Sequence, residues 1–304
     1  MPRREAGEAP RGAPAAGRAP RGAGEAPSAG RAPRAGDPSS GGPPSPETSS
    51  TRDRSRFDVG PDGRGAVPVR VLSYNIRSLR DDRTALARVI RACAPDLLCV
   101  QESPRFWRPR QQAAALARAT GLYVISGGRS AAGPLLLGRL RVRVHSVHDR
   151  VLPRTPGLHK RGFASAVVSV GGSAPFSVTS CHLSLNAEER LAQCRELLRH
   201  VAAMPAGPGV VAGDFNEYPE HPGWRLLASA WQDAHAVAPW GGTWTSVPRN
   251  PYQRIDAVFC TPEVRVLRCG VPEPLPGVAP ADLIAATDHL PLLADLHLPA
   301  AGPA

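Results

Sequence analysis

The stretch VVAGDFN, residues 210–216, decides how this chain is interpreted. A short run of small and β-branched residues reaches Gly213, and Asp214 and Asn216 follow it. Gly213 permits a tight departure from a strand, and residues two apart in an extended segment point to the same side. The pattern predicts a buried strand that delivers a carboxylate and an amide to one edge of a sheet. The alternative is an ordinary turn in which both side chains bond to the backbone.

The same arrangement recurs along the chain. Five more apolar runs end in polar residues of types that bind metal or phosphate: VLSYNI with Asn75, PDLLCVQES with Glu102, VTSCHLS with His182, QRIDAVF with Asp256, and ATDHLP with Asp288 and His289. Each residue taken alone has a simpler interpretation as a turn former, a solvated cap, a core histidine or a surface ion pair. Their joint occurrence at successive strand ends favours one shared site.

The sequence around these motifs is typical of an α/β fold. Short β-branched runs alternate with stretches whose apolar residues recur at spacings of three and four. Helices are predicted at 84–93, at 111–120 and after the Asn186/Glu189 capping box. Many strands with few helices predict two packed sheets flanked by helices; the strands are expected at residues 69–76, 96–101, 135–137, 141–147, 163–170, 176–181, 210–213, 255–260, 264–268 and 292–296.

Composition divides the chain into two parts. Residues 1–66 are rich in Gly, Pro, Ala and Arg and hold few large apolar side chains, so they cannot bury enough surface to offset the entropy of ordering. We expect a disordered tail over 1–66 and one catalytic domain over 67–304. The tail has three interpretations: a flexible linker, translation from a start site assigned too far upstream, or an arm that tethers nucleic acid.

Charge and cysteine content limit the class of protein. The formal charge is +11, but Lys160 is the sole lysine, and an arginine bias beside abundant Ala, Gly and Pro is what GC-rich coding produces. An anionic partner is therefore supported only weakly.

Six scattered cysteines without CxxC pairs indicate reduced thiols. No apolar run approaches the ~18 residues of a membrane span, and no apolar segment follows the Arg3-Arg4 pair. The expected compartment is the cytoplasm, and nothing in the sequence indicates a protein partner.

The ordered series NI, QES, HLS, GDFN, RID and TDHLP resembles the endonuclease/exonuclease/phosphatase superfamily, which includes deoxyribonuclease I, apurinic endonucleases, inositol polyphosphate 5-phosphatases and bacterial sphingomyelinases. The resemblance spans about residues 69–297. It implies a deoxyribonuclease I-like, four-layered α/β sandwich, in which two packed mixed β-sheets are flanked by helices and the site lies at the sheet ends. It also implies hydrolysis of phosphoesters.

The candidate ligands favour a hard divalent cation. Carboxylate and amide oxygens are the donors that Mg²⁺ or Mn²⁺ accepts, and zinc-type clusters such as HExxH are missing. Convergent carboxylates also raise one another's pKa unless a cation lies among them. By the resemblance, Glu102 holds the metal with the assistance of Asn75 and Asp288.

The resemblance also assigns catalytic roles. Asp214 would orient or deprotonate the attacking water, and Asn216 and His182 would contact the phosphate oxygens. Asp256 would pair with His289 and keep it positively charged against the transition state. The division of roles between Asp214 and His289 stays open.

Three classes of function remain. A metal-dependent nuclease acting on DNA or RNA is favoured by the basic chain. A phosphatase or phosphodiesterase acting on a lipid headgroup, an inositol phosphate or another small phosphoester is the alternative, because only 42 residues separate Asp214 from Asp256. A catalytically silent binding protein is disfavoured, since no expected polar position is replaced. Arg105 and Trp107, just after Glu102, have two interpretations, contact with the substrate or ordinary surface placement, and the second is favoured.

Overall fold

The computed structural model describes residues 65–205 and 207–302. The predicted tail lies outside this range except for its last two residues. All the described residues lie in one compact unit. Within them the strands are β1 Ala66–Asn75, β2 Leu97–Gln101, β3 Tyr123–Gly127, β4 Leu135–Gly138, β5 Val142–Val147, β6 Arg150–Val151, β7 Gly162–Val170, β8 Phe176–His182, β9 Gly209–Asp214, β10 Gln232–Asp233, β11 Asp256–Cys260, β12 Arg265–Gly270 and β13 Leu292–Pro299.

The strands form two mixed sheets. The first has the order β12-β13-β1-β2-β4-β3, with β1 and β2 parallel and the other pairs antiparallel. The second has the order β10-β11-β9-β8-β7-β5, with β6 also paired to β7, and its one parallel pair is β8 with β9. Each sheet therefore has one parallel pair near its middle, and the carboxyl ends of both strands in such a pair lie at the same edge.

Alternation along the strands makes a core between the sheets. Val69 and Val71 of β1 belong to an apolar cluster that also holds Val178 of β8 and Val210 of β9. Leu72 of β1 points the other way, as expected for side chains that alternate across a strand. The sheets thus pack face to face.

Helices cover both outer faces. They are α1 Arg83–Cys93, α2 Pro109–Thr120, α3 Ala187–Ala202, α4 Pro222–Ala230, α5 Ala234–Val237 and α6 Pro280–Ala286. Apolar side chains of α1, α2 and α6 pack on the first sheet, and those of α3 and α4 pack on the second. The layers are helix, sheet, sheet and helix, which confirms the predicted four-layered α/β sandwich.

The close approach of β8 and β9 depends on Gly213. A Cβ atom at this position would lie 2.2 Å from the carbonyl oxygen of Cys181 on β8. We expected Gly213 to permit a tight departure from the strand, but β9 continues through Asp214. The close contact with β8 is therefore the main reason for a glycine at this position. Because of this glycine, β8 and β9 stay paired up to their last residues, His182 and Asp214.

None of the helices in the described part of the chain is both long enough and apolar enough to span a bilayer. All six cysteines are buried and form no disulfide.

Candidate active site

The predicted site residues meet where the two parallel strand pairs end. Asn75 is the last residue of β1, and Glu102 follows β2 directly. In the second sheet, His182 ends β8 and Asp214 ends β9, and the two are register partners. Asp256 opens the antiparallel strand β11 and is the partner of Asp214 on its other side. The strand register therefore gathers residues that lie far apart in the sequence.

Asp214 is the centre of this group. It is 2% exposed. Its Oδ2 accepts a hydrogen bond from Asn75 Nδ2 at 3.0 Å, and its Oδ1 accepts one from the backbone N–H of Asn216 at 2.9 Å. The Nε2 atoms of His182 and His289 lie 3.5 and 3.7 Å from Oδ2. The carboxylate is thus held in one orientation, between two imidazoles.

His289 forms a buried pair with Asp256. Its Nδ1 lies 2.8 Å from Asp256 Oδ2. Burial alone would lower the pKa of His289. The charge of Asp256, the hydrogen bond to Asp256 and the charge of Asp214 outweigh burial, and the pKa of His289 is raised to about 10. The ligand atoms of Asp214, Asp256 and His289 all lie within 4.8 Å of one another. Because the protonated imidazole already places one positive charge against these two carboxylates, we interpret this trio as an ion-paired cluster rather than as the metal site.

Burial sets the charge states of the neighbouring groups. It raises the pKa of Asp214 to about 6, with the charge of Asp256 adding to the effect. It lowers the pKa of His182 well below its usual range, and the nearby charge of Arg161 acts in the same direction. His182 is therefore a neutral imidazole at pH 7, whereas His289 carries a charge.

Glu102 is the carboxylate best placed for a cation. It lines the cleft at the site, and Asn75 Nδ2 donates a hydrogen bond to its Oε1 at 3.3 Å. No ion pair to Glu102 forms among the residues that the structure describes. Its φ of 54° is in the left-handed region, an uncommon conformation for a side-chain-bearing residue and one that is frequent at functional sites. An unpaired carboxylate of hard oxygens in a polar cleft fits Mg²⁺ or Mn²⁺.

Asn75 acts on the two carboxylates as a donor. Its Nδ2 faces Glu102 and Asp214, while its Oδ1 accepts a hydrogen bond from the backbone N–H of Arg77 at 3.1 Å. In this orientation the amide holds Glu102 and Asp214 beside each other. A direct role as a metal ligand stays a prediction for Asn75.

Asp288 makes different contacts from the other predicted residues. Its Oδ2 lies 3.2 Å from Arg77 Nε, and both side chains are partly exposed. Its Oδ1 accepts a hydrogen bond from Thr287 Oγ1 at 3.2 Å. A cation at Asp288 would therefore have to displace the guanidinium of Arg77, and the assignment of Asp288 as a ligand also stays a prediction.

A cleft of about 450 Å³ opens onto this cluster. Its wall includes five of the eight predicted site residues: Glu102, His182, Asp214, Asn216 and His289. Asn75 and Asp256 lie behind that wall and hold Asp214 and His289 by the hydrogen bonds described above. Asn216 is fixed on the wall by its φ of 51° and by a hydrogen bond of 3.0 Å from its Nδ2 to the carbonyl oxygen of Leu183.

Sequence reasoning missed two basic residues of this cleft, Arg161 and His159. Arg161 and His159 line it, together with Arg105. The Nε of Arg161 is buried and has no hydrogen-bond partner in the described structure, and burial lowers the pKa of its guanidinium. The only signal in the sequence is the basic pair of Lys160 and Arg161 just before the β7 strand.

The two residues interpreted as surface residues also belong to the cleft. Arg105 is half-buried and Trp107 is 76% exposed, and both line the cleft wall. Trp107 is on the surface as favoured, but both residues lie beside the site, which agrees with the interpretation that the sequence analysis disfavoured.

Known structures share this fold. The endonuclease/exonuclease/phosphatase from Bacteroides vulgatus superposes with a TM-score of 0.64 at 22% identity, covering 76% of this chain and 99% of the other. The mannosyl-6-phosphatase Bt3783 from Bacteroides thetaiotaomicron gives 0.60 at 19% identity, with 75% and 99% covered. Truncated Caenorhabditis elegans TDP2 gives 0.55 at 17% identity, with 75% and 97% covered. No curated protein matches the chain.

The strand-end motifs and the family comparison cover the same part of the chain. The model of the Endonuclease/Exonuclease/phosphatase family matches residues 72–289, more than half of the 304 residues. That range begins within β1, three residues before Asn75, and ends on His289. The chain belongs to the Endonuclease/Exonuclease/phosphatase family.

Proposed function

We propose that this protein is a metal-dependent phosphoric ester hydrolase of nuclease type, which cleaves a phosphodiester bond with an activated water. The observation that carries the proposal is the setting of Asp214. This buried carboxylate is oriented by Asn75 and by the N–H of Asn216, lies between two imidazoles, and faces a cleft that also exposes Glu102. A general base, a cation and a metal ligand are thereby close together.

Each side chain then has a task in hydrolysis. Asp214 orients or deprotonates the attacking water, as a fixed carboxylate in hydrogen-bond reach of a reacting proton can do. His289, kept protonated by Asp256, places a positive charge beside the phosphate as negative charge develops on it. Neutral His182 and Asn216, which also line the cleft, contact the phosphate oxygens.

Glu102 would hold the divalent cation, with Asn75 beside it and Asp288 available once Arg77 moves away. A bound Mg²⁺ or Mn²⁺ neutralises charge on the phosphate and on the leaving oxygen. Arg161 adds a second cationic group on the cleft wall, and its unpartnered Nε–H is free to donate to a phosphate oxygen.

A small phosphoester is the second candidate substrate. A cleft of about 450 Å³ has the size of an ordinary small-molecule site, and a structural neighbour of the same fold is named as a mannosyl-6-phosphatase. The basic residues around the cleft favour the nuclease, because a longer polyanion can contact several of them at once.

A substrate panel tests the proposal. Purified protein with Mg²⁺ is assayed against plasmid DNA, abasic duplex, RNA, bis-p-nitrophenyl phosphate and sphingomyelin. We expect hydrolysis of a nucleic acid and of the chromogenic diester, loss of activity in EDTA, and recovery on addition of Mg²⁺ or Mn²⁺. Full activity in the chelator would contradict metal dependence, and hydrolysis of sphingomyelin alone would favour the second candidate.

A further inference from the structure

A second cavity adjoins the catalytic cleft. It has a volume of about 510 Å³ and shares four wall residues with the cleft: Arg105, Phe106, Ala132 and His159. The catalytic cluster and this cavity are therefore two parts of one continuous depression.

The second cavity is strongly basic. Arg129, Arg154 and Lys160 line it in addition to Arg105, and none of the described residues on its wall is acidic. The side chains of Arg129, Arg154 and Lys160 are exposed, and no ion pair to any of them forms within residues 65–205 and 207–302. Other exposed arginines in the described part of the chain are also unpaired, so what distinguishes this wall is that Arg129, Arg154 and Lys160 gather around one cavity with no acidic residue among the described residues that line it. Three cations left without counter-charges around one hollow repel one another, and a bound polyanion would remove that repulsion.

Arg105 fixes the boundary between the two cavities. Its Nη1 donates to the carbonyl oxygens of Ala132 and Lys160, both at 3.3 Å. These bonds join the segment around Ala132 to the segment that carries Arg154 and Lys160. The basic wall is thus attached to the strand end that presents Glu102, three residues before Arg105.

An aromatic surface borders the same depression. Phe106 is 84% exposed and Trp107 is 76% exposed, although large apolar side chains are normally covered. Phe106 lines both cavities, and Trp107 lines the cleft. The guanidinium of Arg105 lies 5.7 Å from the Phe106 ring centroid, and that of Arg108 lies 5.3 Å from the Trp107 ring. Exposed rings beside a cationic groove are the combination that binds unpaired bases of a single strand.

We propose that the second cavity is a backbone-binding subsite for single-stranded nucleic acid: while one phosphate lies at Asp214, the neighbouring phosphates of the strand lie among Arg129, Arg154 and Lys160, and the bases stack on Phe106 and Trp107. This inference rests on the proposed function and adds a substrate class to it. Base pairs inside a duplex are excluded from this stacking, because both faces of each pair are covered by the neighbouring pairs.

The binding test uses the full chain and a fluorescein-labelled oligothymidylate, in EDTA so that the strand stays intact. Fluorescence anisotropy gives the affinity from about 50 to about 200 mM salt. In the triple variant Arg129→Ala/Arg154→Ala/Lys160→Ala we expect at least tenfold weaker binding and a slope of log affinity against log salt shallower by about 2, since each single-strand phosphate contact contributes ~0.7. Trp107→Ala should weaken binding of the oligonucleotide about fivefold or more and leave binding of inorganic polyphosphate unchanged.

A matched triple variant controls for the loss of charge. Arg143→Ala/Arg195→Ala/Arg225→Ala removes three exposed arginines that line neither cavity, and it should bind like the wild type. Thermal unfolding confirms that each variant is folded.

Two outcomes would overturn the subsite: no measurable binding of the oligonucleotide by the wild type, or equal affinity and salt slope in the two triple variants. Equal losses for polyphosphate and oligonucleotide in Trp107→Ala would overturn the stacking of bases. Hydrolysis of bis-p-nitrophenyl phosphate by the wild type tests the proposed function separately, since that small diester does not need the second cavity. Specific binding without hydrolysis would support the subsite and refute the hydrolase.

Discussion

At the scale of single residues, Asp214 and His289 carry the proposed chemistry. Asp214→Asn keeps the shape of the side chain and removes its charge, so it tests the carboxylate rather than the packing. Asp214→Ala and His289→Ala remove the groups altogether. We expect each of the three variants to lower kcat by at least ~10²-fold, the usual minimum for a general acid or base, in an assay of bis-p-nitrophenyl phosphate with Mg²⁺.

The controls for these variants are Glu263→Gln and His145→Ala. Both change an exposed residue of the same chemical type that does not line the cleft. They should hydrolyse the diester at the rate of the wild type. Near-normal rates in both Asp214→Ala and His289→Ala would refute the assignment of this cluster.

The contact of Arg77 with Asp288 should weaken metal binding. Its guanidinium lies 3.2 Å from Asp288 and so competes with any cation there. Because both side chains are partly exposed, the pair is worth only ~0 to 1 kcal/mol. Arg77→Ala should therefore tighten Mn²⁺ binding by about two- to fivefold, as measured by isothermal titration calorimetry or by the electron paramagnetic resonance of free Mn²⁺. Arg77→Lys keeps the charge and should bind Mn²⁺ nearly as the wild type does. If Arg77→Ala binds no tighter than Arg77→Lys, Asp288 is not a ligand.

The residues that could be predicted from the sequence are those at strand ends. Asn75, Glu102 and Asp214 each follow an apolar run, and a strand end is a local feature of the sequence. Arg161 and Arg105 lie in segments between strands, and their position on the cleft depends on how Ala132, Lys160 and the sheets pack together. A lone arginine carries no local sign of such a place, so Arg161 was not predicted, and contact of Arg105 with the substrate was not favoured over ordinary surface placement.

Among the helices and strands, the sequence predicted those elements well in which the apolar residues recur with a clear period. The helices expected at 84–93 and 111–120 match α1 and α2 to within one or two residues. Asp82 caps the N-terminus of α1, since its Oδ1 accepts hydrogen bonds from two backbone N–H groups. The same reasoning missed β3, α4 and α6. Strand β3 is half-exposed and lacks clear alternation, while α4 and α6 are short helices that begin with proline.

The packing of α3 on the second sheet should make the free energy of unfolding depend on pH. His200 lies on the buried side of α3 and its Nε2 is 2.9 Å from Ser165 Oγ on β7. Burial lowers the pKa of His200, Arg150 and His148 act in the same direction, and Asp149 opposes them. At pH values between the lowered pKa of His200 and about 6.5, the unfolded chain binds more protons at this residue than the native state does. The free energy of unfolding should therefore fall as the pH falls below about 6.5.

His200→Gln removes this titration and keeps a polar group near Ser165. We expect a shallower dependence of the unfolding free energy on pH between about 7 and about 5, as measured by urea denaturation at each pH. The slope is reduced rather than abolished, because burial also lowers the pKa of His182 and His235. His145→Gln, at an exposed histidine, is the control for the loss of any histidine. An equal slope in His200→Gln and the wild type would contradict the prediction.

At the scale of the whole molecule, composition and periodicity alone predicted two packed sheets flanked by helices. They could not give the strand order, since the pairing of β1 with β13 joins segments about 220 residues apart. The polar residues that end successive apolar runs predicted the shared site, and the resemblance carried by the ordered series of motifs implied the deoxyribonuclease I-like sandwich. Distant strands find their register through packing between the sheets, which no single stretch of sequence displays.

We expect the part of the chain that begins with β1 to carry the whole activity. Every predicted site residue lies between Asn75 and His289, within the range matched by the family model, and β1 begins at Ala66. A variant that starts at residue 65 therefore keeps both sheets and the complete cleft. We expect it to hydrolyse bis-p-nitrophenyl phosphate at the rate of the full chain and to unfold at the same temperature by circular dichroism.

The same variant separates the interpretations of residues 1–64. These residues hold 11 arginines against 8 acidic residues, so an arm that tethers nucleic acid would add phosphate contacts. Its removal would then weaken oligonucleotide binding and flatten the salt dependence. A linker, or a segment produced by an upstream start, adds no such contacts. Because the three unpaired cations of the second cavity remain in the shortened chain, we expect its affinity and salt slope to equal those of the full chain. A shallower slope would instead assign part of the binding to the tail.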